Sequence, residues 1–94
     1  MPSISDQNDP EVAELLAEIE AELARARTKF PGDDVTMLAL MEEVGELAKA
    51  TFEEPSARVR EEAIQVAVMA IRVVLDGDGT LRGWRQGRGL DPLP

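Results

Sequence analysis

One segment of this 94-residue chain, Ala63 to Leu75, limits the folds open to it. It sits in a predicted helix over about residues 57–76. Ala63, Ile64, Val66, Ala67, Val68, Ala70, Ile71, Val73, Val74 and Leu75 surround most of that helix's circumference. A helix apolar nearly all round is a buried, central one. The chain predicts only two other long helices to cover it. The simplest solution is a second copy of the chain, so the expected fold is all-α: an antiparallel helical bundle of three main helices completed by oligomerisation, as a homodimer or homotetramer.

The other two helices are legible from their punctuation. Asp9-Pro10 reads as an N-cap followed by proline at the first helical position. Val12, Leu15, Leu16, Ile19, Leu23 and Phe30 follow at helical spacing, with Glu11, Glu14, Glu18, Glu22 and Arg25 assigned to the opposite side. This predicts a helix over about 10–29, stopped by Pro31-Gly32. Asp33-Asp34 is expected to cap a second helix over about 35–53, whose apolar face is Leu38, Met41, Val44, Leu47, Ala48 and Phe52. Pro55-Ser56 breaks the chain before the third helix, and Gly77 and Gly79 suit a left-handed cap at its end. Residues 1–8 are polar and aperiodic and are expected to be a flexible N-terminus. Residues 80–94 are expected to be a tail with at most a short helical turn. The whole of 1–94 reads as one domain, and no alternating pattern argues for strands.

Composition narrows the chemistry. There is no histidine, which excludes imidazole acid–base catalysis and His-ligated zinc, and no cysteine, which excludes disulfides and thiol nucleophiles. Nineteen acids against ten bases give a net charge of −9, which repels nucleic-acid backbones and attracts cations. No basic n-region or apolar h-region opens the chain, and no apolar run is long enough to span a bilayer. The expectation is a cytoplasmic protein with neither nucleic-acid nor membrane partners.

Two constellations can carry chemistry. Glu42, Glu43 and Glu46 on the second helix fall within roughly one 100° arc. Their mutual repulsion costs a few tenths of a kcal/mol per pair unless a cation binds. On the third helix Arg58, Glu61, Glu62, Gln65, Met69, Arg72 and Asp76 form one stripe, with Glu62 and Gln65 placed to reach a common point. Each stripe alone reads equally as a solvated face. Consecutive helices joined by a short turn pack antiparallel, however, which brings Glu46 and Glu62 to comparable heights. Converging carboxylate oxygens suit Mg²⁺, or Mn²⁺.

The run Met37-Leu38-Ala39-Leu40-Met41-Glu42-Glu43-Val44-Gly45-Glu46-Leu47-Ala48-Lys49-Ala50 resembles the first metal-binding helix of the MazG-like all-α nucleoside triphosphate pyrophosphohydrolases. That family carries Glu-Glu-x-x-Glu, a spacer, and Glu-x-x-Asp on the next helix. Here the second block reads Glu62-Ala63-Ile64-Gln65. Lys29-Phe30-Pro31 and Val66 to Arg72 are also similar to small members, so the resemblance covers roughly residues 20 to 79. It implies Mg²⁺-dependent cleavage of a (deoxy)nucleoside triphosphate to the monophosphate and pyrophosphate, with the site near a subunit interface. It implies metal ligands at Glu43, Glu46, Glu62 and Gln65, Glu42 as a further ligand or as the carboxylate that orients the attacking water, and Glu42 or Glu43 as the base that holds that water. Gln65, where the family usually has Asp, brings an oxygen without a charge. This departure supports a second reading: a catalytically degenerate module that binds metal or nucleotide, or docks on a protein. A third is an acidic helical mimic that binds a basic partner irrespective of Mg²⁺. Lys49, Arg82, Arg85 and Arg88 are candidates to neutralise phosphates, and Trp84 to stack on a base or to anchor the tail.

Overall fold

The computed structural model describes residues 9–90. The expected N-terminal segment 1–8 and the last residues, 91–94, lie outside them. The described residues form four helices and no strand: α1 Pro10–Lys29, α2 Thr36–Glu53, α3 Ser56–Leu75 and α4 Gly79–Gly87. The all-α expectation holds. The count of three main helices needs a correction, because part of the expected tail is α4.

α1 begins as its punctuation predicts. The Asp9 carboxylate accepts hydrogen bonds from the Glu11 and Val12 amides at 3.0 and 3.1 Å, and Pro10 occupies the first turn. α2 and α3 are joined at Glu54-Pro55 and run antiparallel, so Glu46 and Glu62, equidistant from Glu54 along the chain, meet. α1 packs on α3 and runs parallel to it: Glu18 pairs with Arg60, Gln65 bonds Glu22, and Arg27 pairs with Asp76.

The start of α2 departs from expectation. Neither Asp33 nor Asp34 caps it. Val35 is the cap residue, in the left-handed conformation at φ 49°, and no side chain of the loop bonds the first turn. That conformation is costly for a β-branched residue. The Val35 amide instead donates to Thr80 Oγ1 at 3.2 Å, and the Met37 amide to Asp78 Oδ2 at 2.8 Å. Asp78 also caps α4 through the Leu81 amide, at 2.8 Å. Hydrogen bonds from the Met37 and Leu81 amides hold the Asp78 carboxyl below the usual carboxylate range.

Asp33 serves as an anchor rather than a cap. Its carbonyl accepts from the Gly79 amide at 2.7 Å, and its carboxylate pairs with Arg82 at 2.9 Å. A Cβ at Gly79 would lie 2.7 Å from the Asp33 carboxylate oxygens, so any larger residue there would displace the Asp33 side chain. Gly77, at φ 72°, ends α3 in the left-handed cap expected of it, whereas Gly79 opens α4.

The polarity of the interior is unusual. Among the described residues only Ala50 and Val68 are buried apolar side chains; the other buried residues are Thr36, Glu62 and Arg72. The stripe of α3 that carries Glu62, Gln65, Met69 and Arg72 faces inward, while Ala63, Ala70, Val74 and Leu75 face out. On α2 the predicted apolar face is largely exposed: Leu38 is 67% and Phe52 87% accessible. Arg72 is held by Asp76 at 2.9 Å and by the Phe30 and Gly32 carbonyls at 2.8 and 3.1 Å, which ties the α1–α2 loop to α3.

Candidate metal centre

Two acids of the α2 block and the second acid of α3 converge. Carboxylate oxygens of Glu43, Glu46 and Glu62 all lie within 4.8 Å of one another. Glu43 and Glu46 share one face of α2 because they are three residues apart. Glu62 reaches them because its stripe of α3 is turned toward α2. Glu62 is only 6% exposed. Its Oε1 accepts from Arg58 at 2.7 Å, and its Oε2 is buried without a partner. Glu43 Oε2 is likewise buried and unpartnered.

Two orphaned carboxylate oxygens in one small space are costly. The cost appears in the Glu43 carboxyl, pushed up from 4.5 to about 7 by its burial, then by the charges of Glu46 and Glu62 beside it. A divalent cation among these oxygens would supply the missing partner and reverse the sign of the repulsion. The donors are all hard oxygens, as Mg²⁺ and Mn²⁺ require. The chemistry of the residues present therefore fits such an ion, on the ground of the orphaned buried atoms.

Glu42 and Gln65, also expected at the site, lie beside the cluster. Together with Glu43 they line a cavity of about 660 Å³ enclosed by the ends of α1 and α2, the loop between them, and α3. This volume lies in the range of small-molecule sites. Its wall also carries Arg25, Lys29, Phe30 and Arg72. Arg25 pairs with Glu22, and the Lys29 ammonium sits 5.3 Å from the Phe30 ring centroid. Gln65 Nε2 donates to Glu22 Oε1 at 2.9 Å.

Five other expected residues, Lys49, Arg82, Trp84, Arg85 and Arg88, lie away from this cavity. Lys49 is exposed on α2. Arg82 pairs with Asp33. Arg85 donates to the Leu90 carbonyl at 2.9 Å. Trp84 is half exposed under the Arg88 guanidinium, 4.1 Å from the ring centroid, and borders a separate apolar groove with Val35, Leu38 and Leu81.

Glu22 needs a correction, because it faces inward rather than belonging to the solvated side of α1. A signal for this was present: Glu22 follows Ile19 by three residues and Leu15 by seven, so it occupies the apolar stripe. Arg25 and Lys29 had no comparable signal, since their place on the cavity depends on how α1 lies against α3. No protein-family model, curated protein or solved structure matches this chain.

Proposed function

We propose that this chain is a Mg²⁺-dependent hydrolase of nucleoside triphosphates, cleaving (d)NTP to (d)NMP and pyrophosphate in the manner of the MazG-like enzymes it resembles. The observation that carries the reading is the convergence of Glu43, Glu46 and Glu62, with buried unpartnered oxygens, at the edge of a cavity of nucleotide-compatible size. The three carboxylates would hold the ion, with the Gln65 carbonyl oxygen as the fourth, uncharged donor. When bound, Mg²⁺ supplies neutralisation of the charge that develops on the phosphate oxygens.

The remaining roles fall to the chain's own groups. Glu42 lines the cavity outside the three-carboxylate cluster, so its oxygens are available to orient a water and take its proton. That water attacks the α-phosphorus, and the bond from the α-phosphorus to the α–β bridging oxygen breaks. Lys29 is the cavity-wall cation for the departing pyrophosphate, Arg25 being paired with Glu22, and Phe30 offers a face for a base. Arg72 is already committed to Asp76 and two carbonyls, so it shapes the wall.

A homodimer or homotetramer is part of the proposal. A chain whose buried apolar residues are Ala50 and Val68 has a small core. Leu38, Met41, Phe52 and Val74 meanwhile remain exposed, and burying each in a partner would contribute about 1.5–3 kcal/mol.

The test is pyrophosphate release from a panel of NTPs and dNTPs, with Mg²⁺ or EDTA, beside a Glu46→Ala control. Metal-dependent release that disappears in the control is the expected result. Gln65 favours one rival, a module that binds metal or nucleotide without turnover. Folded protein that binds Mn²⁺ yet releases no pyrophosphate from any substrate would select that rival.

A further inference from the structure

We propose that Glu22 of α1 is a positioning residue of the carboxylate centre. It fixes the Gln65 side-chain amide so that the carbonyl oxygen, and not the amino group, is the atom offered to a cation. The proposal rests on the metal-dependent reading above.

Gln65 differs in kind from its neighbours. An ionised carboxylate presents an acceptor whichever way it turns, whereas an amide has one end that attracts a cation and one that repels it. A glutamine near a metal is useful only if its flip is controlled. Glu22 provides that control, because Gln65 Nε2 donates to its Oε1 at 2.9 Å. Glu22 is an acceptor only, so the reverse orientation would set two oxygens against each other.

The controlling residue is itself fixed. The Glu22 side chain is 20% exposed, in the apolar stripe of α1, and pairs with Arg25. Glu22 and Gln65 share the cavity wall with Glu42 and Glu43. Glu22 does not belong to the converging trio of Glu43, Glu46 and Glu62, so it acts through Gln65 rather than as a ligand. Partners that orient a ligating side chain affect metal affinity by about 10–100-fold in known metal sites. By this arrangement α1, which carries none of the acidic block, becomes part of the centre.

The experiment compares Glu22→Met and Glu22→Gln in the full chain, each with Gln65 and again with Gln65→Glu. Mn²⁺ alone is the probe, with its affinity read by electron paramagnetic resonance and folding by the melting temperature. Met keeps the length of the side chain and suits an apolar stripe, but offers no acceptor. Gln loses the charge and keeps an acceptor oxygen.

With Gln65 present, Glu22→Met is expected to weaken Mn²⁺ binding about tenfold, and Glu22→Gln to stay within about threefold of the unaltered protein. With Gln65→Glu no amide remains to be oriented, and the two variants are expected to bind alike. Equal losses in both variants with Gln65 present would reduce Glu22 to a distant charge and overturn the proposal. A difference that persists with Gln65→Glu would also overturn it. Mn²⁺ binding in the unaltered protein that disappears in Glu46→Ala keeps these failures distinct from failure of the metal-dependent reading. No Mn²⁺ binding at all would end both.

Discussion

Replacing Glu43 by Gln removes the side chain that suffers most in the acidic cluster, so the metal-free protein should gain stability from losing a residue of its own site. The Glu43 carboxyl is pushed up from 4.5 to about 7, first by burial and then by Glu46 and Glu62. A raised acid favours the folded state while it is protonated. That contribution is intact below pH 4.5, declines as the pH rises, and is lost above about pH 7. The full interval corresponds to about 3 kcal/mol. Glu46 is exposed and the neighbouring cavity admits water, so screening reduces this to about 1–2 kcal/mol. In EDTA, Glu43→Gln should match the unaltered protein at pH 4 and exceed it by about 1–2 kcal/mol at pH 8. For a domain of this size that is roughly 4–16 °C in melting temperature. Thermal melts at fixed protein concentration across this pH range measure it. Adding Mg²⁺ at pH 8 should raise the melting temperature of the unaltered protein and leave Glu43→Gln nearly unmoved. A variant less stable than the parent at pH 8 in EDTA, or two parallel pH profiles, would refute the account of the cluster as unpaired and repulsive.

Leu38→Glu combined with Phe52→Glu should reduce the particle mass by light scattering to that of one chain, and an unchanged mass would remove the α2 stripe from any interface. Arg72→Met leaves Asp76 and the Phe30 and Gly32 carbonyls without their shared donor; a loss of about 3 kcal/mol in urea unfolding is expected, and a loss under 1 kcal/mol would contradict the role given to it. Val35→Gly relieves a left-handed β-branched residue, and the relief of about 1–2 kcal/mol is offset in part by the greater freedom of glycine when unfolded. A net gain of up to about 1 kcal/mol should appear in the same unfolding assay, whereas a clear loss would mean that the Val35 side chain matters more than its backbone.

What the sequence revealed depended on how local the cause was. The bounds of α1 follow from Asp9-Pro10 and Pro31-Gly32, which act within a turn of themselves. The acidic block and its spacer were sufficient to bring Glu46 and Glu62 together, because antiparallel packing across a short turn leaves little freedom. The cap of α2 was not legible: Asp33 and Asp34 stand where a cap belongs, yet the group that bonds the first turn is Asp78, from beyond α3. α4 carries only a brief apolar spacing, Leu81 and Trp84, and its docking depends on Asp33 rather than on its own pattern. Glu22 sits on the apolar stripe by helical angle although its residue type suits the solvated side, and its inward turn is stabilised by Gln65 and Arg25. The inward turn of the polar stripe of α3 could not be read from that helix alone. Its pattern allows either face to be the inner one, and the choice rests on α1 and α2.

The double duty of Asp78 bears on how the protein is made. During synthesis α2 emerges from the ribosome well before residue 78, so its first turn must wait for the carboxylate that bonds the Met37 amide. The same carboxylate starts α4, so the helix that carries Glu42, Glu43 and Glu46 and the last described helix are completed by a single event. A nascent chain cut off after α3 would present the acidic block on a helix with a frayed end and no Gly79 amide to grip Asp33. The end of α2 that walls the cavity, Thr36 to Ala39, is thereby completed only when nearly all of the described chain has been translated, whereas Glu43, Glu46 and Glu62 meet through α2 and α3 alone.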